Sequence, residues 1–153
     1  MKVSLIIPCY NEEANIHDLL TAISKQNFPL ADIEVIIADG MSTDKTRELI
    51  QSFVDSVPEL QVIVLDNIER IIPSALNIAI KAANGEYIMR MDAHSQPHPD
   101  YINKCLRALE AGKGDNVNLS REEHLPYLRN TLNIGNRSIG GNLVHLCSHT
   151  GKP

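Results

Sequence analysis

The sequence predicts an α/β fold in which a mainly parallel sheet is flanked by helices. Segments with strand and helix patterns alternate four times over about the first 110 residues, and this alternation is typical of parallel sheets with right-handed crossovers. The first strand, residues 3–8, is a nearly continuous apolar run, as expected for a strand buried on both faces. Polar residues follow every strand, at the edge where such sheets bind ligands.

The helices are predicted from apolar residues that recur at intervals of three and four. The first helix covers residues 12–26, and the second begins after a cap at Ser42 or Thr43. The third helix covers residues 74–83, and the fourth covers residues 101–109. The three further strands are predicted at residues 34–39, 61–66 and 86–92.

The end of the chain differs from the rest in periodicity and in charge. Residues 117–153 carry four Lys or Arg against two acids, a net charge of +2, and lack a regular apolar pattern. The first 116 residues carry ten basic against seventeen acidic residues, a net charge of −7. We therefore predict a folded domain over residues 1–116 and an atypical, irregular tail over residues 117–153. Our hypothesis for this tail is a truncated or frame-shifted gene product.

Composition excludes several classes of protein. The net charge of −5 argues against nucleic-acid binding, which needs a basic surface. No run approaches the roughly 20 apolar residues of a membrane span, and the N-terminus lacks a signal-peptide pattern. Three cysteines without a CxxC pair fit a reducing compartment. We predict a cytoplasmic protein, and leave open its oligomeric state and a peripheral contact with the inner face of the plasma membrane.

The strand ends carry carboxylates, amides, a tyrosine and a histidine. An acidic edge repels phosphate unless a divalent cation, Mn²⁺ or Mg²⁺, bridges the carboxylate and the phosphate. The edge residues are Pro8, Tyr10, Asn11 and Glu12 after the first strand, Asp39 after the second, Asp66 and Asn67 after the third, and Asp92 and His94 after the fourth.

Asp92 and His94 are the candidate metal ligands. They lie two residues apart, so extended backbone directs both side chains to the same side. A carboxylate with an imidazole suits Mn²⁺ better than Ca²⁺. The alternative is that Asp92 caps the loop and His94 is simply solvated. The position of the pair at the end of a central strand favours the metal site.

Two further positions leave alternatives open. Asp39 can accept hydrogen bonds from a base or ribose beside the tight turn at Gly40, or it can belong to an ordinary strand–turn–helix connection. Asn11 can contact a ligand, or it can cap the first helix.

In this order and spacing, the motifs resemble those of family 2 glycosyltransferases of the GT-A fold. The DAH variant and its upstream segment are most similar to succinoglycan-type exopolysaccharide glucosyltransferases. The resemblance covers about residues 1–116 and implies a Rossmann-like nucleotide-sugar-binding half. The motifs that carry it are IIPCYNEE, ADGMSTDKT, PSALN, NGEYI and MDAH.

The resemblance also implies roles for single residues. The uracil and ribose of a UDP-sugar would be contacted by Asp39 and by the segment that contains Pro8, Tyr10, Asn11 and Glu12. Asp92 would contact the ribose or sugar and the shell of the metal. His94 stands where the commoner pattern has a second aspartate and would bind the metal directly. Asn77 and Arg70 lie on a segment that faces the donor in the family.

The implied activity is transfer of a hexose, with glucose expected, from a UDP-sugar to a glycan or lipid-linked acceptor in polysaccharide biosynthesis. No residue is assigned as catalytic base, because the family takes its base from a second half with no convincing counterpart here. One alternative is a catalytically inactive fragment that only binds nucleotide. A nucleotidyltransferase is disfavoured, because the first loop is neither glycine-rich nor basic.

Overall fold

The computed structural model describes residues 2–110 and 142–144. Five parallel strands form one sheet in the order β3-β2-β1-β4-β5. The strands are β1 (Val3–Cys9), β2 (Ile33–Asp39), β3 (Gln61–Asp66), β4 (Tyr87–Arg90) and β5 (Asn142–Val144). The helices are α1 (Ile16–Ser24), α2 (Thr46–Ser56), α3 (Ile72–Ala82) and α4 (Tyr101–Glu110), and a 3₁₀ turn at Leu30–Asp32 precedes β2.

The predicted α/β fold with a parallel sheet is confirmed, with differences at the ends of several elements. Helix α1 begins at Ile16 rather than residue 12, because residues 12–15 form a turn closed by the bond from Asn15 N to Glu12 O (3.0 Å). Within the tail predicted to be irregular, β5 pairs with β4. The remainder of that tail, and with it the frame-shift hypothesis, lies outside the described residues.

The core lies on both faces of the sheet, which explains the continuous apolar run of β1. Leu5 and Ile7 face one cluster, packed with residues of α1, α2 and α4. Ile6 faces a second cluster with residues of α3. Each fully buried side chain of this size contributes about 1.5–3 kcal/mol to folding. None of the helices in the described part of the chain has the length and apolar character of a bilayer span.

A buried polar network closes the amino edge of the sheet. Glu34 and Ser4 are fully buried and adjacent in the β1–β2 register. The Ser4 hydroxyl and the backbone N–H groups of Asn84 and Gly85 donate to Glu34 Oε1. Burial disfavours the charged carboxylate, but these hydrogen bonds outweigh it and lower the pKa of Glu34.

Gly85 fits this network only because it lacks a side chain. A Cβ at this position would lie 2.6 Å from Ser4 N and 2.8 Å from the carbonyl carbon of Val3. Both atoms belong to the backbone of β1, so they have no room to move. Gly85 is therefore required for the close approach of the α3–β4 connection to the sheet.

Candidate functional site

A cavity of about 250 Å³ opens at the carboxyl edge of the sheet. It lies between the ends of β1 and β4 and the loop that leads from β3 into α3, where parallel sheets bind ligands. Its lining consists of Pro8, Cys9, Tyr10, Glu12, Gly40, Asn67, Arg70, Ile71, Ile72, Ala75, Arg90, Asp92, Ala93 and His94.

The cavity brings together seven of the candidate side chains predicted from the sequence. These are Pro8, Tyr10, Glu12, Asn67, Arg70, Asp92 and His94. Four others do not line it, namely Asn11, Asp39, Asp66 and Asn77.

Tyr10 forms an aromatic wall with its side chain 48% exposed. Gly40 lies against this ring, since a Cβ there would be 3.2 Å from Tyr10 Cδ2, and its N–H donates to Cys9 O at 2.8 Å. An exposed ring of this kind offers a face on which a planar base can stack.

Asp39 lies beneath the cavity wall, fully buried, where Arg47 neutralises its charge. Arg47 Nε donates to Asp39 Oδ2 at 2.6 Å, and its Nη2 donates to Asp66 Oδ1 at 2.6 Å. These two bonds raise the pKa of Arg47. Ser42 donates to the same carboxylate through its N–H (3.0 Å) and its hydroxyl. Arg47 is not predicted from the sequence, where its only signal is its place at the start of the helix that follows Asp39.

Asn11 joins two loops instead of capping α1 or facing the cavity. Its N–H donates to Ser42 Oγ at 2.8 Å, and its Oδ1 accepts from Thr43 N at 2.8 Å. Asn11 (φ 51°) and Met41 (φ 62°) both have left-handed backbone conformations, which are uncommon for residues with a side chain. Such conformations persist where the surroundings over-determine them.

A second set of hydrogen bonds ties the same two loops together at the start of α2. Glu12 N donates to Thr46 Oγ1 at 2.8 Å. Glu13 makes two bonds: its N–H donates to Asp44 Oδ2 at 3.1 Å, and its Oε2 accepts from Lys45 N at 3.0 Å. Desolvation disfavours the charged form of Asp44, but the bonds from Thr46 Oγ1 (2.6 Å), Thr46 N (3.0 Å) and Glu13 N outweigh it and lower the pKa of Asp44. The predicted cap at Ser42 or Thr43 is wrong. Ser42 bonds Asp39, and α2 begins at Thr46, whose N–H donates to Asp44 Oδ1.

The polar side of the cavity is formed by two carboxylates and an imidazole, those of Glu12, Asp92 and His94. Arg90 donates to Asp92 Oδ1 from Nε (3.1 Å) and Nη2 (2.9 Å). His94 Nδ1 lies 3.8 Å from Glu12 Oε1, and the His94 side chain is 45% exposed. Glu12 Oε2 accepts from Asn15 Nδ2 at 2.8 Å. Asp92 and His94 thus share one cavity with different partners.

This donor set fits a divalent cation that a ligand helps to bind. Within residues 2–110 no three His, Cys, Asp or Glu side chains converge on one point as a complete metal site. Mg²⁺ and similar cations are commonly held by one or two protein ligands plus substrate phosphates. Asp92 and His94 offer such an incomplete set.

The loop after β3 supplies the opposite wall. Asn67 is buried, its Nδ2 donates to Ile71 O at 3.0 Å, and its Oδ1 has no hydrogen-bond partner among the described residues. Arg70 is exposed at the cavity and has a left-handed backbone (φ 56°). Asn77 lies on the exposed face of α3 and is not brought to the cavity.

Cys9 lines the cavity but is not a nucleophile. Burial, followed by the negative charges of Asp39, Glu12 and Asp44, raises the pKa of its thiol to about 12. The thiol therefore stays protonated at neutral pH and packs as a small apolar group.

Known proteins match this chain in sequence. Residues 4–137 match the family model described as Glycosyl transferase family 2. The chain is 36% identical over 104 residues to the poly(ribitol-phosphate) beta-N-acetylglucosaminyltransferase TarS of Staphylococcus aureus, a match that covers 68% of this chain and 17% of the relative. It is also 36% identical over 115 residues to the succinoglycan biosynthesis protein ExoA of Rhizobium meliloti, covering 74% of this chain and 34% of the relative.

The fold also matches solved structures. The mannosyltransferase PcManGT of Pyrobaculum calidifontis, solved in complex with GDP-Man and Mn²⁺, superimposes with a TM-score of 0.68 at 31% identity, over 71% of this chain and 32% of that one. The chain thus spans about a third or less of the length of these relatives. The parallel sheet flanked by helices is the GT-A architecture, and the chain belongs to glycosyl transferase family 2, a family of enzymes.

Proposed function

We propose that this chain is the donor-binding part of a glycosyltransferase that transfers a hexose, with glucose expected, from a UDP-sugar. The acceptor would be a glycan or lipid-linked saccharide in polysaccharide biosynthesis, at the cytoplasmic face of the plasma membrane. The observation that carries the proposal is one cavity that joins the aromatic wall of Tyr10 to the pair Asp92 and His94. A nucleotide-sugar needs both features, because its base stacks on an aromatic ring and its diphosphate binds with a cation.

The nucleoside would occupy the side of the cavity formed by β1 and the β3–α3 loop. Tyr10 offers a ring face for the uracil, and Pro8 bounds the same pocket. The unpartnered Oδ1 of Asn67 lies in this wall, and a small shift would let it accept a hydrogen bond from the base. Asp39 would act through the loop it anchors, because its own oxygens are held by Arg47 and Ser42.

The diphosphate would lie toward the ends of β4 and the Arg70 loop. Asp92 and His94 would hold Mn²⁺ or Mg²⁺, which supplies charge neutralisation for the departing UDP when bound. Arg70, exposed on the facing wall, would add a positive charge from the protein. Asn77, on the exposed face of α3, would contact the donor outside the cavity.

The named activities of similar proteins support the class of donor. TarS is named as an N-acetylglucosaminyltransferase, and PcManGT was solved with GDP-Man. Because these names differ in sugar, and the nucleotide printed for PcManGT is a guanosine diphosphate, the choice of glucose and uridine depends on the succinoglycan-type motif around Asp92 and His94.

A nucleotide-binding chain without transferase activity is the second candidate. It is favoured by the short span of the chain against its relatives and by the absence of an assignable base among the described residues. Donor binding and turnover therefore need separate assays.

The test is a calorimetric titration of the chain with UDP, with and without Mn²⁺. We expect Mn²⁺ to strengthen UDP binding. Asp92→Ala or His94→Ala should weaken UDP binding in the presence of Mn²⁺ by about tenfold or more. Asp18→Ala, an exposed aspartate on α1, is the matched control and should bind like the unmodified chain. Binding that ignores both Mn²⁺ and the two substitutions would contradict the proposal.

A further inference from the structure

Arg90 contacts the candidate metal ligand Asp92 in an asymmetric way. The two hydrogen bonds that Arg90 donates to Asp92, from Nε at 3.1 Å and from Nη2 at 2.9 Å, end on the same oxygen, Oδ1. The two side chains are 13% and 18% exposed, so this pair is largely shielded from water. A charge-assisted contact in such a place has a defined geometry rather than the loose geometry of a surface ion pair.

The second oxygen of Asp92, Oδ2, is not bonded by Arg90. Within residues 2–110 no group donates a hydrogen bond to Oδ2, although Asp92 lines the cavity beside His94. The backbone is fixed as well, because Asp92 O accepts from Ser95 N at 2.9 Å. One carboxylate oxygen is thus tied to the protein and the other is available to a ligand.

We propose that Arg90 is a positioning residue that fixes the Asp92 carboxylate so that Oδ2 faces a donor-bound cation. This inference rests on the metal-dependent donor binding proposed above. An aspartate has two rotatable side-chain torsions, and without Arg90 its carboxylate would sample several orientations before binding. Hydrogen bonds to a metal-binding carboxylate commonly supply this orientation, and their loss typically lowers metal affinity by about 10–100-fold.

The positive charge of Arg90 has an opposite effect that makes the inference falsifiable. A guanidinium close to a divalent cation repels it, so a role through charge alone predicts tighter Mn²⁺ binding once Arg90 is removed. We expect orientation to dominate, because the cavity also carries Glu12 and the donor brings a negatively charged diphosphate. The sign of the change in Mn²⁺ affinity therefore separates the two roles.

The experiment measures Mn²⁺ binding to the chain in the presence of UDP by electron paramagnetic resonance, which reports free and bound Mn²⁺ without any turnover. Arg90→Met should weaken Mn²⁺ binding about tenfold or more. Arg90→Lys keeps the charge but loses the two-bond geometry, and should recover only part of this loss. Arg107→Met, an exposed arginine on α4, is the matched control and should not change the affinity.

Two further measurements exclude a merely structural role. The thermal midpoint and the affinity for UDP without metal should stay close to those of the unmodified chain in Arg90→Lys. In an Asp92→Ala background, Arg90→Met should have no additional effect on Mn²⁺, because Arg90 then has no carboxylate to orient.

The outcomes are distinguishable. Tighter or unchanged Mn²⁺ binding in Arg90→Met, or an equal loss in the Asp92→Ala background, would overturn the role of Arg90 while donor binding stands. An unmodified chain that binds no UDP with Mn²⁺ would overturn the proposed function and this inference together.

Discussion

At the amino edge of the sheet the Glu34 carboxylate is fully buried and accepts hydrogen bonds from Ser4, Asn84 and Gly85, whereas at the carboxyl edge Asp92 lines an open cavity. Neutral donors of the protein satisfy Glu34. Asp92 is held through one oxygen by Arg90, and its other oxygen has no partner in the described part of the chain. The amino edge thus has the features of a stability element, and the carboxyl edge those of a binding site.

The largest expected effect is on the amino edge. Gly85→Ala places a methyl group 2.6 Å from Ser4 N and 2.8 Å from the carbonyl carbon of Val3, both in the backbone of β1, so the sheet must shift or the connection must detach. We expect the free energy of unfolding to fall by about 3 kcal/mol or more. Urea unfolding followed by circular dichroism measures this loss. A loss below about 1 kcal/mol would show that the amino edge yields more easily than its geometry implies.

The next effect concerns pH and Glu34. Because the pKa of Glu34 is lowered in the folded chain from its ordinary value of 4.5, its contribution to stability is present above that value. This contribution is lost as the pH falls below 4.5 through the folded pKa. Glu34→Gln should cost about 2 kcal/mol at pH 7, since the bonds to its oxygen lose the negative charge and its amide N–H group faces the Asn84 side-chain amide, which donates to Oε2 at 3.3 Å.

The measurement is the urea midpoint between pH 7 and pH 3 for both chains. We expect the difference between the unmodified chain and Glu34→Gln to shrink as the pH falls from 4.5 to 3. A difference that is constant across this range would contradict the linkage. Affinity for UDP with Mn²⁺ at pH 7 should be the same for both chains, since Glu34 lies at the opposite edge from the cavity.

The smallest effect on stability is expected at the carboxyl edge. Gly40→Ala brings a methyl group 3.2 Å from Tyr10 Cδ2 and 3.3 Å from Tyr10 Cβ, and a shift of this exposed side chain by a few tenths of an ångström should cost less than about 1 kcal/mol. The displaced ring should weaken UDP binding several-fold. Calorimetry and urea unfolding of the same variant check both expectations. A large loss of stability with unchanged UDP affinity would reverse the assignment of the two edges.

Local sequence patterns predicted much of this architecture. The apolar run of β1 indicated a strand buried on both faces, and its successive residues Leu5 and Ile6 do enter different core clusters. Polar residues at strand ends indicated the cavity, since parallel strands bring their carboxyl ends to one edge. Tyr10, Asp92 and His94 meet there for this reason.

Other features depend on partners that are distant in sequence. Asn11 bonds a loop 31 residues away, and Gly85 bonds Ser4 across 81 residues, so no local pattern indicates either contact. Arg47 was missed for a related reason, because its bridge from Asp39 to Asp66 appears only when three elements are packed. Asn77 illustrates another limit, since spacing places it on α3 but does not say how that helix is rotated toward the cavity.

The hydrogen bonds that join the β1–α1 loop to the β2–α2 loop have a consequence for motion. Five such bonds connect residues 11–13 with residues 42–46. The two loops must therefore open and close as one body, and their amides should exchange with solvent together rather than one at a time. The nucleotide donor proposed above would lose little entropy to loop ordering on docking here, so we expect its binding to be fast and limited by encounter.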